Sequence, residues 1–216
     1  MPNRSIYIDF EGNLAGDLYM VGTLSDEGFE QIILHPGLTG AATHHGLRVL
    51  SLEEFLSELS SFNTIIAYSE HELDLLLEHK WTPINNNPAY YINLNKAAKK
   101  WINKLHREEF RALGTYLPTN PNAHQNSLAS RMRLTDFQPK KDYSPGFTTS
   151  RFNTVIDALA LRGGDYSSLT RVQKSKYTKA MNHNAYDVKA LEVLMSYIHD
   201  ELPSAIEVAT KTIEPQ

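Results

Sequence analysis

Two acidic residues near the start of the chain could hold a metal ion. In residues 6–11, apolar side chains at every second position alternate with Tyr7, Asp9 and Glu11. This period of two predicts a β-strand that carries Asp9 and Glu11 on one face. Two like charges on a buried face are unfavourable unless a cation lies between them, and hard oxygen ligands suit Mg²⁺ or Mn²⁺. A solvated strand face with scattered acids is the alternative.

His183 and Asp187 form a second pair, four positions apart in a predicted helix. Residues spaced i and i+4 share a helix face, and the apolar positions of this helix continue close to that face. We therefore expect Asp187 to be a metal ligand and His183 to be the general base that activates a water molecule. The alternative is an acid that only stabilises the positive end of the helix, beside an unrelated histidine.

Glu72 and Asp74 follow an apolar run, residues 63–68, that predicts a buried strand. Functional groups in α/β sheets gather at such strand ends, so either acid could complete a carboxylate cluster. Ser69 and Glu72 also have the spacing of a capping box, in which the glutamate only closes the first helical turn. The residues leave both interpretations open.

Together, these acids and the histidine predict a catalytic site for phosphodiester hydrolysis. Four carboxylates, from Asp9, Glu11, Asp187 and one of Glu72 and Asp74, would hold two Mg²⁺ or Mn²⁺ ions. Such a pair of ions favours in-line displacement at phosphorus. The chain should therefore be a metal-dependent enzyme.

The elements that must position these residues predict an α/β fold. Besides the first strand, strand patterns cover residues 17–23, 29–34, 63–68 and 90–94, which gives a five-stranded mixed sheet. Helical patterns follow a capping box at Ser51 and then cover residues 70–79, 96–111, 128–134, 151–162, 168–181 and 183–202. Loops are expected over residues 35–46, 112–126 and 135–150. We expect one domain over residues 1–202 and a partly ordered tail over residues 203–216.

Composition excludes several classes of protein. The 216 residues include no cysteine, which rules out disulfides, zinc ribbons and thiol catalysis. No apolar run approaches the roughly 18–20 residues that a membrane span needs. Residues 1–10 lack the pattern of a signal peptide, so we expect a cytoplasmic protein. No glycine motif for phosphates or dinucleotides is present, so we expect no nucleotide cofactor.

Charge is distributed unevenly along the chain. Residues 96–180 contain 16 Lys and Arg against six Asp and Glu, a net charge of +10, although the whole chain carries −4. Clustered positive charge favours contact with a polyanion, and we predict nucleic acid as the partner. The candidate contacts are Lys140, Lys141, Tyr143, Lys174, Lys176 and Lys179. For the last three, a solvated helix face is the alternative.

Three segments of the chain resemble the DEDD 3′–5′ exonucleases of the ribonuclease H-like superfamily. They are YIDFEG at 7–12, IIAYSEHELDLL at 65–76 and HNAYDVKAL at 183–191. The resemblance implies a three-layer α/β/α fold around a five-stranded mixed sheet, and an exonuclease that releases nucleoside 5′-monophosphates. It also favours Glu72 over Asp74 as the acid of the second segment.

One position departs from the pattern of that family. In its histidine branch the histidine precedes the last aspartate by five residues, and in its tyrosine branch a tyrosine precedes it by four. His183 lies four residues before Asp187, so it takes the tyrosine-branch position with histidine-branch chemistry. Two alternatives stay open: a ribonuclease H-like module that binds nucleic acid or protein without cleaving it, and an endonuclease on the same fold.

Overall fold

The protein is built around one mixed β-sheet. The computed structural model describes residues 4–13, 15–83, 88–113, 127–137 and 147–214. Its strands are β1 (Ser5–Gly12), β2 (Leu18–Ser25), β3 (Gly28–Ile33), β4 (Arg48–Val49), β5 (Thr64–Ala67), β6 (Ala89–Asn93) and β7 (Thr210–Ile213). They lie in the order β4-β3-β2-β1-β5-β6-β7, so β1 is central.

Strand directions follow from the connections between the strands. Short turns join β1, β2 and β3, which pair antiparallel. β5 and β6 each follow a helical connection, and they run parallel to β1 and to each other. The prediction of an α/β fold with a mixed sheet is confirmed.

The predicted number of five strands is wrong, because the described residues form seven. β4 pairs with β3 over two residues only, which is too short for an alternating pattern to appear in the sequence. β7 pairs antiparallel with β6 and comes from the segment that was expected to be a tail. Both additional strands lie at the edges of the sheet.

Helices cover both faces of the sheet. They are α1 (Thr39–His45), α2 (Leu52–Leu59), α3 (His71–Glu78), α4 (Leu94–Trp101), α5 (Arg107–Ala112), α6 (Leu128–Met132), α7 (Thr148–Ala160), α8 (Arg171–Glu201) and α9 (Pro203–Ala209). α2 and α3 pack on one face, in a core cluster that includes Phe55 and Leu76. α4, α6, α8 and α9 pack on the other face around Trp101 and Leu191. A third cluster joins α1, α7 and the start of α8.

Several helices differ from the sequence prediction. A π-helical turn, Ile102–His106, interrupts the helix expected over residues 96–111. The two helices expected over 168–181 and 183–202 are one continuous α8, since no glycine or proline interrupts it. α1 lies in the expected loop over 35–46. In the described part of the chain, no helix is both long and apolar enough to cross a membrane.

The expected loops and tail contain regular structure where the structure describes them. Of the loops expected over 112–126 and 135–150, residues 114–126 and 138–146 lie outside the described residues. Residues 148–150 of the second loop belong to α7. The expected tail instead forms α9 and β7. Pro203 begins α9 at a position where a helix does not need the missing N–H.

Ile213 tests whether β7 contributes to stability. We expect Ile213→Ala to lower the free energy of unfolding by at least about 2 kcal/mol, because this side chain is only 7% exposed and joins the core cluster under α2 and α3. Chemical denaturation measures the loss. Thr212→Ala is the control, since Thr212 is exposed on the same strand and should cost less than about 1 kcal/mol. Equal losses in the two variants would contradict the packing of β7.

Candidate metal centre

β1 places Asp9 and Glu11 on the face of the sheet that α8 covers. Ile8 and Phe10 belong to the core cluster on the opposite face, whereas Tyr7 packs against the cluster that contains α8. Because side chains alternate along a strand, Asp9 and Glu11 share the side of Tyr7. The structure therefore has both acids on one face of a central strand, as the alternation predicts.

Gly22 lets α8 approach the sheet closely beside these acids. It lies opposite Asp9 in the β1–β2 pair, and a Cβ there would come within 2.2 Å of Asn184 Oδ1 and 2.7 Å of Val188 Cγ2. Asn184 Nδ2 donates to both the backbone oxygen and Oδ2 of Asp9, each at 2.9 Å. Gln31 Nε2 in turn donates to Asn184 Oδ1 at 3.1 Å, so hydrogen bonds join α8 to β1 and β3.

Glu11, His183 and Asp187 form a compact group, although they come from distant parts of the chain. His183 Nε2 is 3.3 Å from Asp187 Oδ2 and 4.0 Å from Glu11 Oε1. One ligand atom from each residue lies within 4.8 Å of the other two. The three side chains are 10–14% exposed. The group is therefore close enough to share one ion, and each member keeps some access to solvent.

Burial and mutual repulsion act on the two acids of β1. Burial, followed by the charges of Glu11, Asp187 and Glu72, raises the pKa of Asp9 well above its usual range. Burial and the charge of Asp187 also raise the pKa of Glu11, and the guanidinium of Arg151 opposes this rise. Like charges in a poorly solvated site cannot all ionise at their ordinary pKa values. A divalent cation would relieve that repulsion.

Of the two acids in the second segment, Glu72 and not Asp74 acts on Asp9, although neither belongs to the compact group. Glu72 is 6% exposed and contributes to the raised pKa of Asp9, whereas Asp74 lies on the exposed face of α3. Glu72 Oε2 also accepts hydrogen bonds from Ser69 Oγ at 2.7 Å and from Ser69 N at 3.3 Å. The full capping box is not formed, since Glu70 and not Ser69 is the N-cap of α3, but these bonds orient a carboxylate that also interacts with Asp9.

Arg131 adds a buried positive charge near the end of β5. Its side chain is 2% exposed, its Nε donates to Tyr68 Oη at 3.0 Å, and a second nitrogen donates to Asn95 Oδ1 at 2.7 Å. Burial raises the pKa of Tyr68 to about 12, Arg131 opposes this rise, and the charge of Asp187 adds to it. The hydroxyl of Tyr68 therefore stays protonated at neutral pH, beside the acid of the third segment.

The predicted nucleic-acid contacts lie only partly within the described residues. Those outside them are Lys140, Lys141 and Tyr143. Lys174 Nζ donates to the backbone oxygen of Ser167 at 2.7 Å. Lys176 Nζ donates to Thr154 Oγ1 at 3.1 Å, and Lys179 is exposed. Lys176 and Lys179 line one groove between α7 and α8.

Sequence reasoning missed several residues that shape the site. Asn184 lies three positions before Asp187, and that helical spacing is the signal that could have identified it. Gly22 and Gln31 belong to no motif, since their roles depend on how α8 packs against β2 and β3. No motif identifies Arg151 either, because Arg151 and Glu11 are distant in the sequence and only the tertiary fold brings them close enough to interact.

The chemistry of these donors fits a hard divalent cation. Carboxylate oxygens are the ligands that Mg²⁺ and Mn²⁺ prefer in proteins. Glu11 and Asp187 belong to the compact group, and Asp9 and Glu72 add negative charge beside it. A buried group of this charge is unfavourable without a cation. The residues present therefore suit the metal that the sequence predicts.

Comparison with known proteins assigns no family to the chain. No family model matches it, and no curated protein matches it. The resemblance to DEDD exonucleases therefore depends on three sequence segments that meet around the carboxylates.

Replacing Asp9 should stabilise the metal-free protein. We expect Asp9→Asn in EDTA to raise the free energy of unfolding near neutral pH, because it removes a carboxylate that is unfavourable to bury and that the charges of Glu11 and Asp187 repel. A carboxyl group whose pKa is raised by folding supports stability at low pH and loses that contribution as the pH rises. The gain should therefore be larger near pH 8 than near pH 5. Thermal unfolding at the two pH values measures it.

Asp26→Asn is the matched control for this experiment. Asp26 is an exposed acid in the turn between β2 and β3, so its neutralisation should leave stability within about 0.5 kcal/mol at both pH values. A loss of stability in Asp9→Asn that does not depend on pH would contradict the repulsion.

Proposed function

We propose that the protein is a metal-dependent nuclease, a 3′–5′ exonuclease of the DEDD type with a ribonuclease H-like fold. One observation carries the proposal. One ligand atom from each of Glu11, His183 and Asp187 lies within 4.8 Å of the other two, and the charges of Glu11, Asp187 and Glu72 act together on Asp9 nearby. A protein gains nothing in stability from such a group, which favours a functional reason for it.

The proposal assigns the metal ligands as Asp9, Glu11, Glu72 and Asp187. When bound, two Mg²⁺ or Mn²⁺ ions supply the positive charge that activates a water nucleophile and stabilises the leaving 3′-oxygen. His183 is the proposed general base, since its Nε2 lies 3.3 Å from Asp187 and 4.0 Å from Glu11, next to the carboxylates that would hold the metal and the water. Asn184 positions Asp9 through two hydrogen bonds.

The fold and the charge distribution support this proposal. The sheet is mixed and carries helices on both of its faces, as the resemblance implies, although it has seven strands and not five. Nucleic acid is the proposed substrate because the positive charge of the chain is concentrated in residues 96–180. A cytoplasmic location belongs to the same proposal, and the lack of cysteine supports it.

Cleavage of labelled oligonucleotides tests the activity. We expect the wild-type protein to shorten 5′-labelled single-stranded DNA or RNA from its 3′ end with Mg²⁺ or Mn²⁺, and to be inactive in EDTA. Asp187→Asn should lower the rate by at least about 100-fold, because it removes a proposed metal ligand that also lies 3.3 Å from His183 Nε2. Cleavage of circular single strands would indicate an endonuclease instead.

Asp74→Asn is the matched control for Glu72→Gln. Both acids lie on α3, but only Glu72 is buried and acts on Asp9. We expect Glu72→Gln to lower the cleavage rate and Asp74→Asn to leave it unchanged. If Asp74→Asn lowers the cleavage rate and Glu72→Gln does not, Asp74 is the metal ligand of the second segment.

Metal-linked stability separates an enzyme from a module that only binds nucleic acid. We expect Mn²⁺ to raise the unfolding temperature of the wild-type protein, since a ligand at 100 times its dissociation constant adds about 2.7 kcal/mol of stability. Asp187→Asn should reduce the rise, because Asp187 belongs to the compact group. A wild-type protein that Mn²⁺ does not stabilise would contradict the metal centre.

A further inference from the structure

A basic groove lies between α7 and the first half of α8. It has a volume of about 590 Å³, and its charged and aromatic lining residues are Phe147, Arg151, Arg171, Lys176 and Lys179. Four lining side chains are cationic, and none of the lining residues within the described ranges is acidic. Such a groove attracts a polyanion.

The groove leads towards the carboxylates. Arg171, Ser175 and Lys179 line it at intervals of four residues along α8, and the same i, i+4 ridge continues to His183 and Asp187. The rise from Arg171 to His183 is about 18 Å at roughly 1.5 Å per residue. Lys179, the last α8 residue that lines the groove, therefore lies one helical turn before His183.

Arg151 provides a second link between the groove and the centre. It lines the groove from α7, and its charge lowers the pKa of Glu11 against the effect of burial. On the same helix, Thr149 Oγ1 donates to the backbone oxygen of Gly12 at 2.8 Å, which ties the start of α7 to the end of β1. Arg151 thus lines the groove and also interacts electrostatically with Glu11 of β1.

Phe147 gives the groove an exposed aromatic surface. Its side chain is 50% exposed, and its ring lies 5.8 Å from Cζ of Arg151. Aromatic rings in basic grooves stack on unpaired bases while the cations contact the phosphates. A duplex keeps the faces of its bases stacked inside, so this combination suits a single strand.

We propose that this groove binds single-stranded nucleic acid, with a base stacked on Phe147 and the phosphates held by Arg171, Lys176 and Lys179. The inference rests on the proposed function, because the strand held in the groove would continue into the candidate metal centre. It adds a binding surface outside the carboxylates, where a substrate longer than one nucleotide gains affinity.

Binding in EDTA tests the groove without any cleavage. The probe is a fluorescein-labelled dodecamer of thymidine or uridine, and fluorescence anisotropy measures its affinity over a tenfold range of KCl concentration. Arg171→Ala combined with Lys179→Ala removes two phosphate contacts. It should weaken binding at low salt and lower the slope of log affinity against log salt by about 1.4, since each contact to a single strand contributes about 0.7.

A second basic surface, on α4 and α9, provides the matched control. Lys99 and Lys104 are exposed there, and none of the described residues that line that surface is aromatic. Lys99→Ala combined with Lys104→Ala removes the same charge and should leave affinity and slope unchanged. Equal losses in the two double variants would show attraction by net charge alone and would overturn the groove.

Stacking is tested separately at Phe147. We expect Phe147→Leu to weaken single-strand binding by about tenfold, because a stacked base contributes roughly 1–3 kcal/mol, whereas Phe147→Tyr keeps the ring and the affinity. A wild-type protein that binds a duplex, or a polyglutamate peptide, as tightly as the single strand would overturn the inference.

The outcomes distinguish the groove from the metal centre. A wild-type protein that binds the single strand through the groove but never cleaves it with Mg²⁺ or Mn²⁺ contradicts the nuclease and leaves the groove in place. A protein that cleaves oligonucleotides, but whose affinity does not respond to substitution of Phe147, Arg171 and Lys179, contradicts the groove and leaves the nuclease in place.

Discussion

Repulsion among buried carboxylates is the constraint on which the rest of the structure depends. Asp9 and Glu11 share one face of the central strand, and α8 packs against that face with Asp187. The fold must hold these charges together against a force that separates them. Hydrogen bonds from Asn184 and the extensive apolar contacts of α8 supply the opposing free energy.

α8 joins features that would otherwise be independent. Its first half carries cations of the groove, its middle carries His183, Asn184 and Asp187, and its second half packs through Leu191 and Leu194 into the core. This helix has 31 residues and contains neither glycine nor proline, so nothing in its sequence interrupts it. The groove and the carboxylates are therefore fixed relative to each other by one rigid element.

Local patterns predicted the parts of the site that lie within single elements. The alternation around Asp9 and the helical spacing of His183 and Asp187 are periodicities of a strand and a helix, and both appear in the fold. The role of Gly22 depends on the close approach of α8 to β2, and the sequence around Gly22 contains no pattern that predicts this approach. β7 was missed for the same reason, since its four residues form a strand only because the edge of β6 is open to them.

The separation of the site residues along the chain has a consequence for synthesis. Asn184 lies 175 residues after Asp9, so a ribosome releases the acids of β1 long before the helix that completes their surroundings. A nascent chain that lacks α8 contains Asp9, Glu11 and Glu72 without Asp187, and carboxylates exposed to solvent repel each other little. The activity that we propose would therefore be absent from a nascent chain until translation of α8 ends.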